Sequence, residues 1–273
     1  MKFKFLGTAA FEAIPSLFCV CENCKKIRKI GGKSLRTRTQ AIIDDRLLID
    51  FPPDTVSHIL SNNIDLSKVK NCLITHSHPD HLYVEDMMIL KEGFATTDED
   101  YSITYYSTEI AGKKIGAMLA AVPKMSLQNV REFDRLTVDK YTVTVLPAIH
   151  GKDTGPVIYQ IEDGKNTVLY GLDTHFLHND IFEYWKKTKP YFSLVVLDCT
   201  GALTPVDYVG HMSLLDNIDV KNRMIKIGVA DEKTIFVSNH FSHNGSGVIY
   251  EEFSRIAAKE GILTSYDGME ILL

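Results

Sequence analysis

The stretch CLITHSHPDHL, Cys72 to Leu82, constrains this chain more than any other. An apolar run of strand length ends at Thr75. Four side chains able to bind metal follow at once: His76, His78, Asp80 and His81. Strand side chains alternate, so His76 and His78 are expected on one face, where they can share one ion. Pro79 then turns the chain toward an expected helix, which places Asp80 and His81 where they could hold a second ion beside the first. Imidazole and carboxylate suit zinc, manganese or iron. A lone histidine is most often an ordinary surface or core residue, but four ligands at this spacing demand a fold whose strand ends converge on a metal site.

The rest of the chain offers such strands. QAII, RLLID, NCLIT, YTVTVLPAI, PVIYQI, TVLYGLD, FSLVVLD and TIFVSN are short apolar runs, most of them closed by Gly, Asp or Asn. Helical segments are expected at about 54–61, 80–91, 108–121, 179–188, 214–225 and 247–259. Strands and helices mix from end to end without a linker or repeat, which predicts a layered α/β protein forming a single domain over 1–273. Lys2 to Leu6 reads as a first strand rather than a leader, and no apolar run approaches the roughly 18 residues that span a bilayer. A cytoplasmic protein without a membrane partner is expected. The formal net charge of -5 offers no overall attraction to nucleic acid. Lys25 to Arg38 nevertheless carries seven basic residues and no acidic one, as a solvated loop or a phosphate-facing one. The acidic tip Thr96 to Asp100 reads as surface loop.

Five cysteines and no export signal argue against a disulfide framework. Cys19, Cys21 and Cys24 supply three soft thiolates, one short of the tetrahedral set that structural zinc prefers. A redox dithiol is the competing reading. Cys72 and Cys199, inside apolar runs, read as small buried hydrophobes.

The pattern His76, His78, Asp80, His81 resembles the HxHxDH signature of the metallo-β-lactamase fold superfamily, and the resemblance extends over essentially the whole chain. It implies a four-layer αββα sandwich with metal ligands gathered at one edge. It further implies that His150 after TVTVLPAI, Asp173 in LYGLDT and His240 after TIFVSN complete a dinuclear site for two divalent ions, zinc or manganese, with Asp173 as the bridge. GHMS, Gly210 to Ser213, resembles an element of the phosphoribosyl cyclic phosphodiesterase branch, in which the histidine, here His211, acts on the phosphate. A simple cap before a helix at Ser213 is the alternative. FLGTA, SLRTRTQAIIDDRLLID and YDGMEI extend that resemblance. Phe51-Pro52-Pro53 departs from it, since small residues usually stand there, and the departure bears on the pocket floor. The branch also holds a structural zinc on three cysteines and a histidine just after the last catalytic ligand, which assigns Cys19, Cys21, Cys24 and His243 to a Cys3His site. His58, His175 and His178 match nothing and default to exposed or supporting roles.

The resemblance implies a metal-dependent phosphodiesterase acting on a small, even cyclic, phosphate ester. Two ions about 3.5 to 4 Å apart would share a water and lower its pKa. His211 would serve the leaving group or a phosphoryl oxygen, and Asp80, first a ligand, would also orient the nucleophile. A thioesterase or lactonase shares this ligand set, and a non-catalytic metal-loaded carrier or accessory protein is a further alternative. A transfer-RNA nuclease is disfavoured by the acidic balance and the lack of a long basic arm. A homodimer fits the resemblance.

Overall fold

The computed structural model describes residues 1–206 and 210–273. Its strands form two sheets of seven. The first contains β1 (Lys2–Gly7), β2 (Gln40–Ile43), β3 (Leu47–Ile49), β4 (Asn71–Leu73), β5 (Ile103–Ser107), β6 (Met125–Asn129) and β14 (Glu270–Leu272), ordered β14-β1-β2-β3-β4-β5-β6. The second contains β7 (Arg135–Val138), β8 (Tyr141–Pro147), β9 (Val157–Glu162), β10 (Thr167–Gly171), β11 (Leu194–Asp198), β12 (Ile235–Asn239) and β13 (Leu263–Thr264), ordered β13-β12-β11-β10-β9-β8-β7. The helices are α1 (Glu22–Ile30), α2 (Thr55–Asn62), α3 (Glu109–Leu119), α4 (Asn179–Thr188), α5 (Leu214–Lys226) and α6 (Tyr250–Ala257).

Alternation along the strands sorts the apolar residues into three layers of core. In β11, Leu194 and Val196 face Phe3, Ile43 and Ile49 of the first sheet, while Val195 and Leu197 face Trp185, Val220 and Phe253 on the helices outside. A third cluster buries Ile42, Leu48 and Cys72 under Ile115 of α3 and Met87. Helix, sheet, sheet, helix is the expected αββα sandwich. Among the described residues no helix is long and apolar enough to cross a membrane.

Three local expectations change. β4 ends at Leu73, because the Thr75 amide and hydroxyl turn to the Asp50 carboxylate, 2.8 and 2.9 Å away. His76 and His78 therefore project from a loop, and strand alternation is not what pairs them. The segment after Pro79 is a turn followed by a 3-10 helix, Val84–Leu90, rather than an α-helix. The first half of the basic stretch is helical, in α1, with Cys24 and Ile27 buried.

Candidate metal centre

Strand direction explains why the predicted ligands meet. β10, β11 and β12 run parallel, as do β3 and β4, and β8 shares the direction of β10 through two antiparallel pairings. Residues just past the carboxyl ends of these strands therefore emerge at one edge. His76, His78 and His81 follow β4, His150 follows β8, Asp173 follows β10 and His240 follows β12. Asp50, Asp173 and His240 leave their strands with φ of 66°, 49° and 63°. Such left-handed backbone costs on the order of 1–3 kcal/mol per residue, strain of the kind that gathers at functional sites.

The side chains form two adjoining nests. His78 Nδ1 lies 2.9 Å from His76 Nε2 and 3.1 Å from His150 Nε2. In the second nest, His81 Nε2 is 3.3 Å from Asp80 Oδ2 and 3.4 Å from His240 Nε2. Asp173 stands between them, with Oδ1 3.6 Å from His150 Nε2 and Oδ2 2.9 and 3.0 Å from His81 and His240 Nε2. His76, His78 and His150, then His76, His81 and Asp173, then Asp80, His81 and His240 each gather donor atoms within 4.8 Å of one another, close enough to hold an ion.

Charge gives a test of fit. Asp50, Asp80, Asp173 and Asp198 are all buried here, so the site requires compensating positive charge. Burial opposes ionisation of Asp173, yet the His240 and His81 rings outweigh it and hold the carboxyl well below its usual range. Asp80, likewise opposed by burial but favoured by His81, falls to about 2. Burial pushes His76 well down, which leaves it neutral and able to ligate. Asp173 Oδ2 is buried and accepts no well-directed hydrogen bond despite its two close imidazoles. Converging ring nitrogens, clustered carboxylates and one orphaned oxygen fit divalent cations.

Supporting contacts fix the rings. The carboxylate of Asp50 faces His81 Nδ1 at 2.8 Å, which leaves Nε2 turned to the nest. Gly210 accepts from His150 Nδ1 through its carbonyl at 3.1 Å, and a Cβ there would lie 3.0 Å from that nitrogen. Asp198, at the end of β11, approaches His211 Nδ1 at 2.9 Å and His240 Nδ1 at 3.4 Å. Burial would lower the His211 pKa, but the Asp198 charge and hydrogen bond raise it to about 9. Asp173, Asp198, His211 and His240 form a further ligand-like group. The floor opens into a cavity of about 450 Å³ lined by His78, Asp80, His150, Asp173, His211 and His240, among others.

The model of a family described as the beta-lactamase superfamily domain matches residues 45–233. The chain belongs to that superfamily. Its fold is that of the metallo-β-lactamases. A diphosphatase of the PhnP family is 19% identical and superposes with a TM-score of 0.76, over 99% of this chain and 97% of that one. Zinc-bound PqqB from Methylobacterium extorquens is 18% identical with a TM-score of 0.72, each chain covered in full. The short form of human tRNase Z is 13% identical with a TM-score of 0.63, over 100% of this chain and 99% of that one. No curated protein matches the sequence significantly.

This superfamily member carries a second candidate centre. Cys19 and Cys21 Sγ lie 3.6 and 3.5 Å from His243 Nδ1, and with Cys24 they form one compact group. Asn23 Nδ2 donates to the carbonyls of His243 and Gly245 at 2.9 and 3.0 Å, clamping α1 to the loop after His240. The Cys24 amide, donating to Cys21 Sγ, lowers that thiol to about 6, whereas burial lifts Cys24 to about 11. Cys72 and Cys199 are buried as expected.

Asp50 and Asp198 were not among the sequence candidates. Each ends a strand run, and an Asp there reads as a strand stop. Phe51-Pro52-Pro53 does not line the cavity; Phe51 packs outside the first sheet, edge-on to Tyr105 at 6.3 Å. His58 is buried rather than exposed, between Gln40 Oε1 and Thr37 Oγ1, both at 2.7 Å. His175 Nδ1 bonds the His211 carbonyl at 2.9 Å, and His178 caps α4. Ser213 does cap α5, in a capping box with Asp216, and His211 of the same element lines the cavity.

Proposed function

We propose that this protein is a metal-dependent phosphodiesterase acting on a small phosphate ester. His76, His78 and His150 would hold one divalent ion, Asp80, His81 and His240 a second, with Asp173 between them. A bound pair supplies Lewis-acid chemistry, lowering the pKa of water and offsetting charge on a phosphoryl group. The observation that carries the reading is His211. It lines the cavity beside both nests, and Asp198 holds it so that it favours a proton at neutral pH. A protonated imidazole there can donate to a departing alkoxide, a need that phosphodiester cleavage has and a closed carrier site lacks. The Asp198 carboxylate orients the ring, and burial keeps bulk water from screening the pair. Asp80 lines the cavity floor and can orient an attacking water.

Cys19, Cys21, Cys24 and His243 would hold a structural zinc outside the chemistry. The PhnP-family diphosphatase and the zinc-bound PqqB share the fold, which is compatible with both assignments. The opening of the nests into a cavity favours an enzyme over a carrier.

Hydrolysis of bis(4-nitrophenyl) phosphate by protein loaded with manganese or zinc tests the reading. His211→Ala should lower kcat by about 10²- to 10⁴-fold with metal content unchanged. Undiminished turnover in that variant removes His211 from the reaction. Thioester or lactone turnover without phosphodiester turnover transfers the protein to another reaction class.

A further inference from the structure

The cavity has a wall as well as a floor. Phe11 and Glu12 form it from the amino-terminal side, and Ser242 and Asn244 from the loop after His240. Glu12 is its charged member, and among the described residues no lysine or arginine lines the cavity. The arginines of the basic stretch are occupied elsewhere. Arg28 donates to the carbonyls of Cys19 and Ser16, Arg36 is buried on Thr8 and the Ser265 carbonyl, and Arg38 pairs with Asp54.

Glu12 is held in place. Ser242 Oγ donates to Glu12 Oε1, and the same oxygen lies 3.7 Å from His243 Nε2, on the ring whose Nδ1 faces Cys19 and Cys21. Its neighbour Ala13 turns at φ 59°, and the Phe11 carbonyl is fixed by Arg38 Nε at 2.7 Å. Phe11 is 56% exposed. A positioned carboxylate beside an apolar ring accepts hydrogen bonds from hydroxyl or ammonium groups and repels a second anion.

We propose that Glu12 selects the alcohol arm of the substrate: a hydroxyl- or ammonium-bearing arm is accepted, and an arm carrying a second phosphate is rejected. This inference rests on the phosphodiesterase reading. With the phosphoryl group at the metal nests, the esterified alcohol lies along the wall, where Glu12 faces it.

The test uses 4-nitrophenyl phosphodiesters that share one leaving group and differ in the second alcohol, namely glycerol, choline or 2-phosphoethanol, with bis(4-nitrophenyl) phosphate as reference. The metal-loaded protein should prefer glycerol or choline over the phosphoethyl arm by about tenfold or more in kcat/KM. Glu12→Gln should narrow that gap, mainly by lowering KM for the phosphoethyl arm, while Glu12→Asp should keep the order of preference. Glutamine still accepts from hydroxyls but carries no charge, so with rates taken against bis(4-nitrophenyl) phosphate rather than the phosphoethyl arm, a choline preference that collapses in Glu12→Gln marks ammonium recognition, and a glycerol preference that persists marks hydroxyl recognition. Metal content per chain, measured in each variant, separates this effect from damage at the cysteine cluster. Equal use of the phosphoethyl arm by the wild type, or an unchanged ratio in Glu12→Gln, overturns the role of Glu12 alone. Inertness toward every ester, the reference included, overturns the phosphodiesterase reading and this inference with it.

Discussion

At the scale of single residues, the groups that shape this site most are carboxylates behind the histidines. Asp50 receives the Thr75 amide and hydroxyl and faces His81 Nδ1, so it orients a candidate ligand without reaching the cavity. Its left-handed backbone, φ 66°, is one that asparagine also tolerates, so Asp50→Asn should fold. The variant should bind the second ion about 10- to 100-fold more weakly in a competition titration. Unchanged affinity would reduce Asp50 to a structural anchor. His58 makes a different prediction. Burial lowers its pKa to about 4, against a weak opposing pull from Asp54, so the folded protein holds it neutral. The unfolded chain takes up that proton below about pH 6.5 and the folded chain does not, so stability falls as pH drops from there toward 4. Between pH 7 and 5 the loss should be about 2 kcal/mol in urea unfolding, and His58→Gln should lack that part of the pH slope. Parallel slopes in the two proteins would contradict the assignment.

At the scale of elements, legibility in the sequence mostly followed burial, with β5 the exception: ITYYS is buried along most of its length but too polar to read as an apolar run. β11 is buried on both faces, and its run LVVLD announces it. β6 and β7 lie at sheet edges with mostly exposed or half-buried side chains, and MSLQN and RLTV carry no apolar run to find. α1 hides for a related reason: lysines fill its surface, and only Cys24 and Ile27 mark its inner stripe. The candidate ligand histidines were legible because so many metal-competent groups at one spacing are rare, whereas Asp50 and Asp198 acquire meaning only when folding brings them to an imidazole. The cysteine motif sits at the start of α1, with Cys21 Sγ as its cap, accepting from the Cys24 amide at 3.4 Å. Serine caps equally well, so Cys21→Ser separates the cap from the metal. The variant should lose one metal equivalent per chain and keep the others by elemental analysis. Its activity should fall as well, because His240 and His243 share a loop that Asn23 ties to α1. An unchanged metal count would return the thiols to the redox reading.

At the scale of the whole molecule, the candidate ligands divide between the sheets. His76, His78, Asp80 and His81 follow a strand of the first, and His150, Asp173 and His240 follow strands of the second. Ions bound across that edge would stabilise the packing of one sheet on the other, and would do so only in the folded state. Mass action then fixes the size of the effect: a site filled at a thousand times its Kd adds about 4 kcal/mol. For a chain of this length about 1 kcal/mol moves Tm by roughly 2–4 °C, so one filled site should raise Tm by about 8–16 °C. Trp185, the chain's single tryptophan, is buried under the second sheet with its indole N–H on Gln160 Oε1 at 2.9 Å, and reports that packing by fluorescence. Protein stripped by a chelator should unfold at a lower temperature and recover on titration with zinc or manganese. Cys21→Ser should recover less than the wild type, by the share of the cysteine site, and a double exchange at His78 and His240 should forfeit most of the remainder. A Tm indifferent to both chelator and added metal would mean that the buried carboxylates are balanced by protonated histidines alone. Stability would then fall as pH rises through the elevated pKa values of His81 and His240, the opposite direction to the trend set by His58.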